Sequence, residues 1–272
     1  MKKMFVTVIV MMMTFGASAQ FSVSLSKQVT FSKGNLQYTR STDTWSFAGT
    51  QCEVLGTANV RGGTSSYHQT FGSCLEGATL ADKVDLFGWS TSANNFGVST
   101  SRDYDDYSGS FVDWGTNKIG NDAPDTWRTL TEDEWQYLLN TRENASSLCG
   151  IAQVKGVNGL VLLPDNWKCP SGVSFKSGCH TKFGVCYYAY YQTFTADEWS
   201  KLEKAGAVFL PAAGVRFGTS LRFVQCETYY WSATEVAIGS ASCIRIRSEK
   251  GAYMNIGSRY DGRAVRLVKD LQ

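Results

Sequence analysis

Eight cysteines, two histidines and an arginine- and tyrosine-rich tail are the residues here whose types could do chemistry. Cys169, Cys179, His180 and Cys186 supply zinc-type donors, but without the close Cys-x2-Cys pairs that structural zinc sites use. No metal is therefore expected. Cys226 and Cys243 lie near Arg245 and Arg247, whose charge could stabilise a thiolate. An even cysteine count in an exported chain points instead to disulfides, with a pairing that sequence does not choose. Asp105 and Asp106 could act as acid and base only if burial split their pKa values. In a Tyr/Ser/Gly-rich stretch they read as a solvated loop, as does His68. Neither a Gly-x-Ser-x-Gly elbow nor a Gly-x4-Gly-Lys-Ser/Thr phosphate loop occurs. The expectation is a chain with no catalytic residues and no cofactor.

The tail, Tyr229 to Lys269, carries the binding candidates. In Ser242-Cys-Ile-Arg-Ile-Arg247 strand alternation puts Ile244 and Ile246 on one face and Arg245 and Arg247 on the other. On the next strand Tyr253 and Asn255 point outward, while Met254 and Ile256 turn inward. Thr234, Glu235, Arg259 and Tyr260 fall in flanking loops. Tyr and Arg combine large contact area with hydrogen bonding, which suits recognition.

These residues need a scaffold, and the N-terminus says where it works. Lys2-Lys3, the apolar run Met4 to Phe15 and Ala17-Ser18-Ala19 read as a secretory signal peptide, residues 1–19. The run is shorter than the roughly 20 residues that span a bilayer. The first cysteine is Cys52, well past the cleavage site, so lipid attachment is not indicated, and the expected product, residues 20–272, is exported to the periplasm, cell surface or medium without membrane insertion. A formal charge of +2 with both signs interspersed argues against nucleic acid or an anionic membrane as partner. Oligomeric state is not fixed by the sequence.

β signals dominate the elements. Val29-Thr-Phe-Ser and Asn35-Leu-Gln-Tyr38 flank a Lys33-Gly34 turn, and Thr44-Trp-Ser-Phe47 follows. Residues 56–80 are rich in Gly, Ser and Thr and read as a long loop. Asp85-Leu-Phe-Gly-Trp-Ser90 and the run Tyr104 to Trp114 read as irregular structure packed on the core. Ile151–Val154 and Leu160–Leu163 bracket Asn158-Gly159, a hairpin signal. Thr131-Glu-Asp-Glu134-Trp135 and Thr195-Ala-Asp-Glu198-Trp199 each open with a capping box. The helices they start bury Trp135, Leu138 and Leu139, and Trp199 and Leu202, the second stopping at Gly206. Two helices among short antiparallel strands give an α+β domain.

Several segments resemble a known superfamily. Trp127-Arg-Thr-Leu-Thr-Glu-Asp-Glu-Trp135 is similar to the segment opening the first helix of formylglycine-generating-enzyme-type domains, which are C-type-lectin-like. Phe209-Leu-Pro-Ala-Ala-Gly214 and the Tyr-Trp-Ser to Val-Arg-Leu-Val tail resemble exported bacterial paralogues of the retroelement-diversified variable proteins. The resemblance covers nearly all of residues 28–269. It implies a single C-type-lectin-like domain with an N-terminal strand-rich extension, displaying the tail as a binding face for a glycan or surface protein. The Glu-Pro-Asn, Gln-Pro-Asp and Trp-Asn-Asp motifs of calcium-dependent lectins are missing. Pro164-Asp165-Asn166-Trp167 is a superficial echo that reads as a turn. The resemblance also implies an alternative, a formylglycine-generating-type enzyme, whose cysteine context Cys226 and Cys243 do not match; the export route separately permits a structural subunit of a surface assembly.

Overall fold

In the computed structural model, residues 19–68, 72–179 and 188–271 are described. Most of the signal-peptide segment, together with His180 and Cys186 of the cysteine cluster, lies outside them. Strands and bridges occupy 40% of the described residues and helical turns of all kinds 16%. The expected α+β, C-type-lectin-like class is therefore corrected to a mostly-β molecule of several small sheets. Two local causes account for the shift. Residues 56–80, read as a loop, contribute strands Val60–Arg61, Thr64–His68, Gly72–Glu76 and Thr79–Leu80. The first helix, α1, runs only from Glu132 to Gln136 before widening into a π turn, Tyr137–Thr141.

Both capping boxes form. The Thr131 hydroxyl accepts from the Glu134 amide and the Thr195 hydroxyl from the Glu198 amide, each glutamate reaching back to the threonine amide. The longer helix, α2, spans Ala196–Lys204 and ends at Gly206, whose φ is +97°. Trp135, Leu138, Leu139, Trp199 and Leu202 are all buried.

The strands Cys149–Val154 and Val157–Leu162 pair as a hairpin with Val154 opposite Val157. Its turn is Lys155-Gly156, at φ +53° and +81°, so Asn158 and Gly159 lie inside the second strand, not in the turn. Gly159 is needed there because a side chain would meet the Phe209 ring, 2.6 Å from the position of a Cβ. The chain ends meet: Gln28–Phe31 pairs antiparallel with Val268–Asp270.

The tail forms a three-stranded antiparallel sheet, Glu227–Ala237, Ser240–Arg247 and Gly251–Ser258. Period-two alternation sends its residues into two different cores. Tyr230, Ile244 and Ile246 enter one with Phe31, Trp135 and Val268. Tyr229, Trp231 and Cys243 enter the other with Trp45, Phe87, Trp89 and Trp114. Two indoles fasten this second side, Trp89 donating to the Ser232 carbonyl at 2.9 Å and Trp231 to the Phe87 carbonyl at 2.8 Å. The sheet is thus covered on both faces over its middle and bare only at its ends.

Candidate functional site at the tip of the tail sheet

The eight tail residues separate into two groups and two structural residues. In the middle of the sheet, Arg245 opposes Tyr253 across the strands. Arg245 donates to Glu227 Oε2 at 2.7 Å and lies 5.3 Å over the Tyr229 ring. Arg247 sits 3.3 Å from Glu227 Oε1 and pairs also with Glu249. Glu227 is only 1% exposed and takes a third bond from the Tyr229 hydroxyl, 3.0 Å. Burial, reinforced by that carboxylate, pushes the Tyr229 phenol well up, so it stays a donor. Both arginines are therefore bound into the protein's own network rather than held out to a ligand.

Two of the eight serve the fold. Thr234 Oγ1 accepts the Glu132 amide at 2.9 Å, capping α1 from the sheet. Asn255 opposes Cys243 and donates to the Ile256 carbonyl at 3.0 Å. Ile256, expected inward, is 57% exposed: it shares a face with the buried Ile244 but extends past the edge of the core.

The remaining three, Glu235, Arg259 and Tyr260, converge where the first two strands join. The pairing register slips on either side of Glu235. Such an irregularity re-aims side chains: Thr234 goes to α1, and Glu235 to Arg259, with which it forms an ion pair. Arg259 is 3% exposed. Its guanidinium bonds the carbonyls of Tyr107 (3.2 Å) and Gly109 (3.1 Å) and lies 4.4 Å over Trp89. It acts as a post joining the tail to residues 104–110. The Tyr260 ring meets Tyr104 edge-on at 5.1 Å, with Arg102 5.4 Å above it. Hydrogen bonds from Ser258, Tyr104 and Arg102 hold the Tyr260 phenol below its ordinary range.

These contacts enclose a cavity of about 350 Å³ rimmed by Tyr104, Asp105, Glu235, Ile238 and Arg259. Gly239 is required in it. Its φ is +77°, and a Cβ would lie 2.4 Å from the Tyr104 ring. Ile238 is 99% exposed, Tyr104 52% and Val236 42%. Asp103, Asp105 and Asp106 are exposed beside them. Sequence reasoning missed Tyr104, Asp105, Ile238 and Gly239. The available signal was Ala-Ile-Gly at a hairpin turn, an apolar residue where turns are ordinarily polar.

Among the described residues most of the cysteines expected in bridges are free thiols. Of the described cysteines, Cys52, Cys149, Cys169, Cys179 and Cys243 are free, and Cys226 is disulfide-bonded. Burial pushes the Cys243, Cys149 and Cys179 thiols up, and Cys52 to about 11, which keeps them protonated. Among the described residues no cluster of three or more His, Cys, Asp or Glu could hold a metal, and no helix is long and apolar enough to cross a membrane. His68 ends a strand rather than lying in a loop. No family model, curated protein or solved structure matches the chain.

Proposed function

We propose that this chain is an exported ligand-binding module that recognises a glycan or protein through the tip of its tail sheet and performs no chemistry on it. Export rests on the signal-peptide segment. The site rests on one observation above all: Ile238 stands fully exposed on the rim of a cavity lined by the buried Arg259 and its exposed ion-pair partner Glu235. An apolar side chain held out on a rigid hairpin, next to Tyr104 and Val236, gives an anchor that buries on contact. That composition favours a protein partner over a glycan. The flanking Asp103, Asp105, Asp106 and Glu235 favour a partner surface carrying lysine or arginine.

No observation favours the enzyme alternative. A formylglycine-generating reaction needs a reactive thiol, whereas Cys226 is bonded and Cys243 is buried and protonated. The test is binding of residues 20–272 to panels of surface proteins and glycans, beside Ile238→Ser. Loss of binding in the variant supports the tip. Equal binding by both proteins overturns it. Self-association in place of ligand binding would favour the assembly-subunit alternative.

A further inference from the structure

A second recess, which shares no lining residue with the cavity at the tail's tip, lies between the N-terminal hairpin, the π turn after α1 and the Pro164–Trp167 turn. Its volume is about 670 Å³, within the roughly 300–1,000 Å³ of small-molecule sites. It is lined by polar groups of both kinds, among them Arg142, Glu143, Asn144, Asp165 and Asn166, with Tyr137 the only ring.

Its wall is built rather than incidental. Arg142 is 3% exposed. The π turn places it, the Arg142 amide bonding the Tyr137 carbonyl five residues back at 2.9 Å. Its Nε donates to the Leu138 carbonyl (2.8 Å) and one terminal nitrogen to Asp165 Oδ1 (2.9 Å). The other terminal nitrogen is buried without a hydrogen-bond partner, a costly omission for a buried cation. Asp165 takes three further bonds on its other oxygen: from the Ser22 amide (2.8 Å), the Ser22 hydroxyl (2.7 Å) and Gln28 Nε2 (3.2 Å). The residues that sequence reads as a plain turn hold a four-bond carboxylate at the wall of the recess.

The chemistry of this lining selects a ligand class. Asp165 and Arg142 neutralise each other, which leaves Glu143 as the net charge, so an anion is repelled. Predominantly polar walls, with Leu25 the one aliphatic side chain of the lining, give an apolar ligand little to bury against. What remains matched is a neutral molecule with many hydroxyls, able to donate to carboxylates, accept from amides and lay a C–H face on Tyr137. We propose that this recess is a metal-independent binding site for a neutral saccharide or polyol, separate from the tip of the tail sheet.

The test is calorimetric titration of the chain, in EDTA, with neutral mono- and disaccharides and with an anionic counterpart such as glucose 6-phosphate. Tyr137→Ala and Asn166→Ala probe the recess from its rim, leaving the Arg142–Asp165 pair intact, and Ile238→Ser controls for the tail site. The expected result is saturable binding of a neutral sugar, weakened about tenfold or more in both rim variants and unchanged in Ile238→Ser, with melting temperatures preserved for Asn166→Ala. No saturable neutral sugar, tighter binding of the phosphate, or binding indifferent to both rim variants would each overturn the proposal. Sugar binding lost only in Ile238→Ser would also overturn it, by placing the site on the tail.

Discussion

The middle and the tip of the tail sheet carry the same kinds of residue and are in opposite conditions. In the middle, Arg245 and Arg247 converge on one buried carboxylate, Glu227, and their aromatic neighbour Tyr229 bonds it as well. At the tip, Arg259 is just as occupied, but its work is to fix a rim on which Ile238, Tyr104 and Asp105 stay exposed. An arginine placed outward by strand alternation is thus not thereby available. What decides availability is whether a buried opposite charge lies within reach, and Glu227 is two residues before Tyr229 on the neighbouring strand.

The largest expected effect comes from breaking the middle. Glu227→Ala removes the buried partner of two arginines and is expected to cost about 3–5 kcal/mol in urea unfolding. A cost below about 1 kcal/mol would mean that the arginines are effectively solvated and free for ligands.

Another buried carboxylate sharpens the contrast, because no arginine pairs with it. Asp85 is fully buried and held by the Leu55 amide (2.8 Å) and Asn59 Nδ2 (2.7 Å). Burial raises its pKa from 3.8 to about 6. A folded-state pKa above the unfolded one means that stability is fully present below about pH 4 and is lost as pH rises through 6. The loss amounts to as much as about 3 kcal/mol, at about 1.4 kcal/mol per unit. The difference in unfolding free energy between the parent and Asp85→Asn, measured from pH 3.5 to 7, should show that fall, because carboxylates held below their ordinary range, such as Glu134 and Asp270, contribute equally to both.

Gly239→Ala is smaller again. A positive φ and the collision with Tyr104 should cost about 1–2 kcal/mol and displace the ring that walls the cavity, weakening ligand binding at the same time. A variant that binds normally would separate the cavity from recognition.

Much of the tail's inner face was legible in the sequence, because Ile244 and Ile246 obey a period set by the strand itself, and both threonine caps follow from local spacing. The Lys155-Gly156 turn was not, since Asn158-Gly159 carries a stronger turn signature and only the close approach of the Leu210 carbonyl and the Phe209 ring explains its glycine. Strands within residues 56–80 escaped notice because their exposed edge carries Ser and Thr in place of an apolar alternation. Arg259 reads as a loop residue until Trp89 and the Tyr107 and Gly109 carbonyls, about 150 positions earlier, close around it. Asp165 is the same lesson: three of its four bonds come from the N-terminal hairpin.

The central claim, that recognition sits at the tip and not in the middle, is tested most directly by one paired binding measurement. Ile238→Ser and the double variant Arg245→Ala/Arg247→Ala are compared with the parent chain against a surface-protein panel. Ile238→Ser should keep its stability within about 0.5 kcal/mol and lose at least about tenfold in affinity, while the double variant, where folded, should bind as the parent does. Binding lost in the folded double variant and kept in Ile238→Ser would contradict the account and return the site to the middle of the sheet.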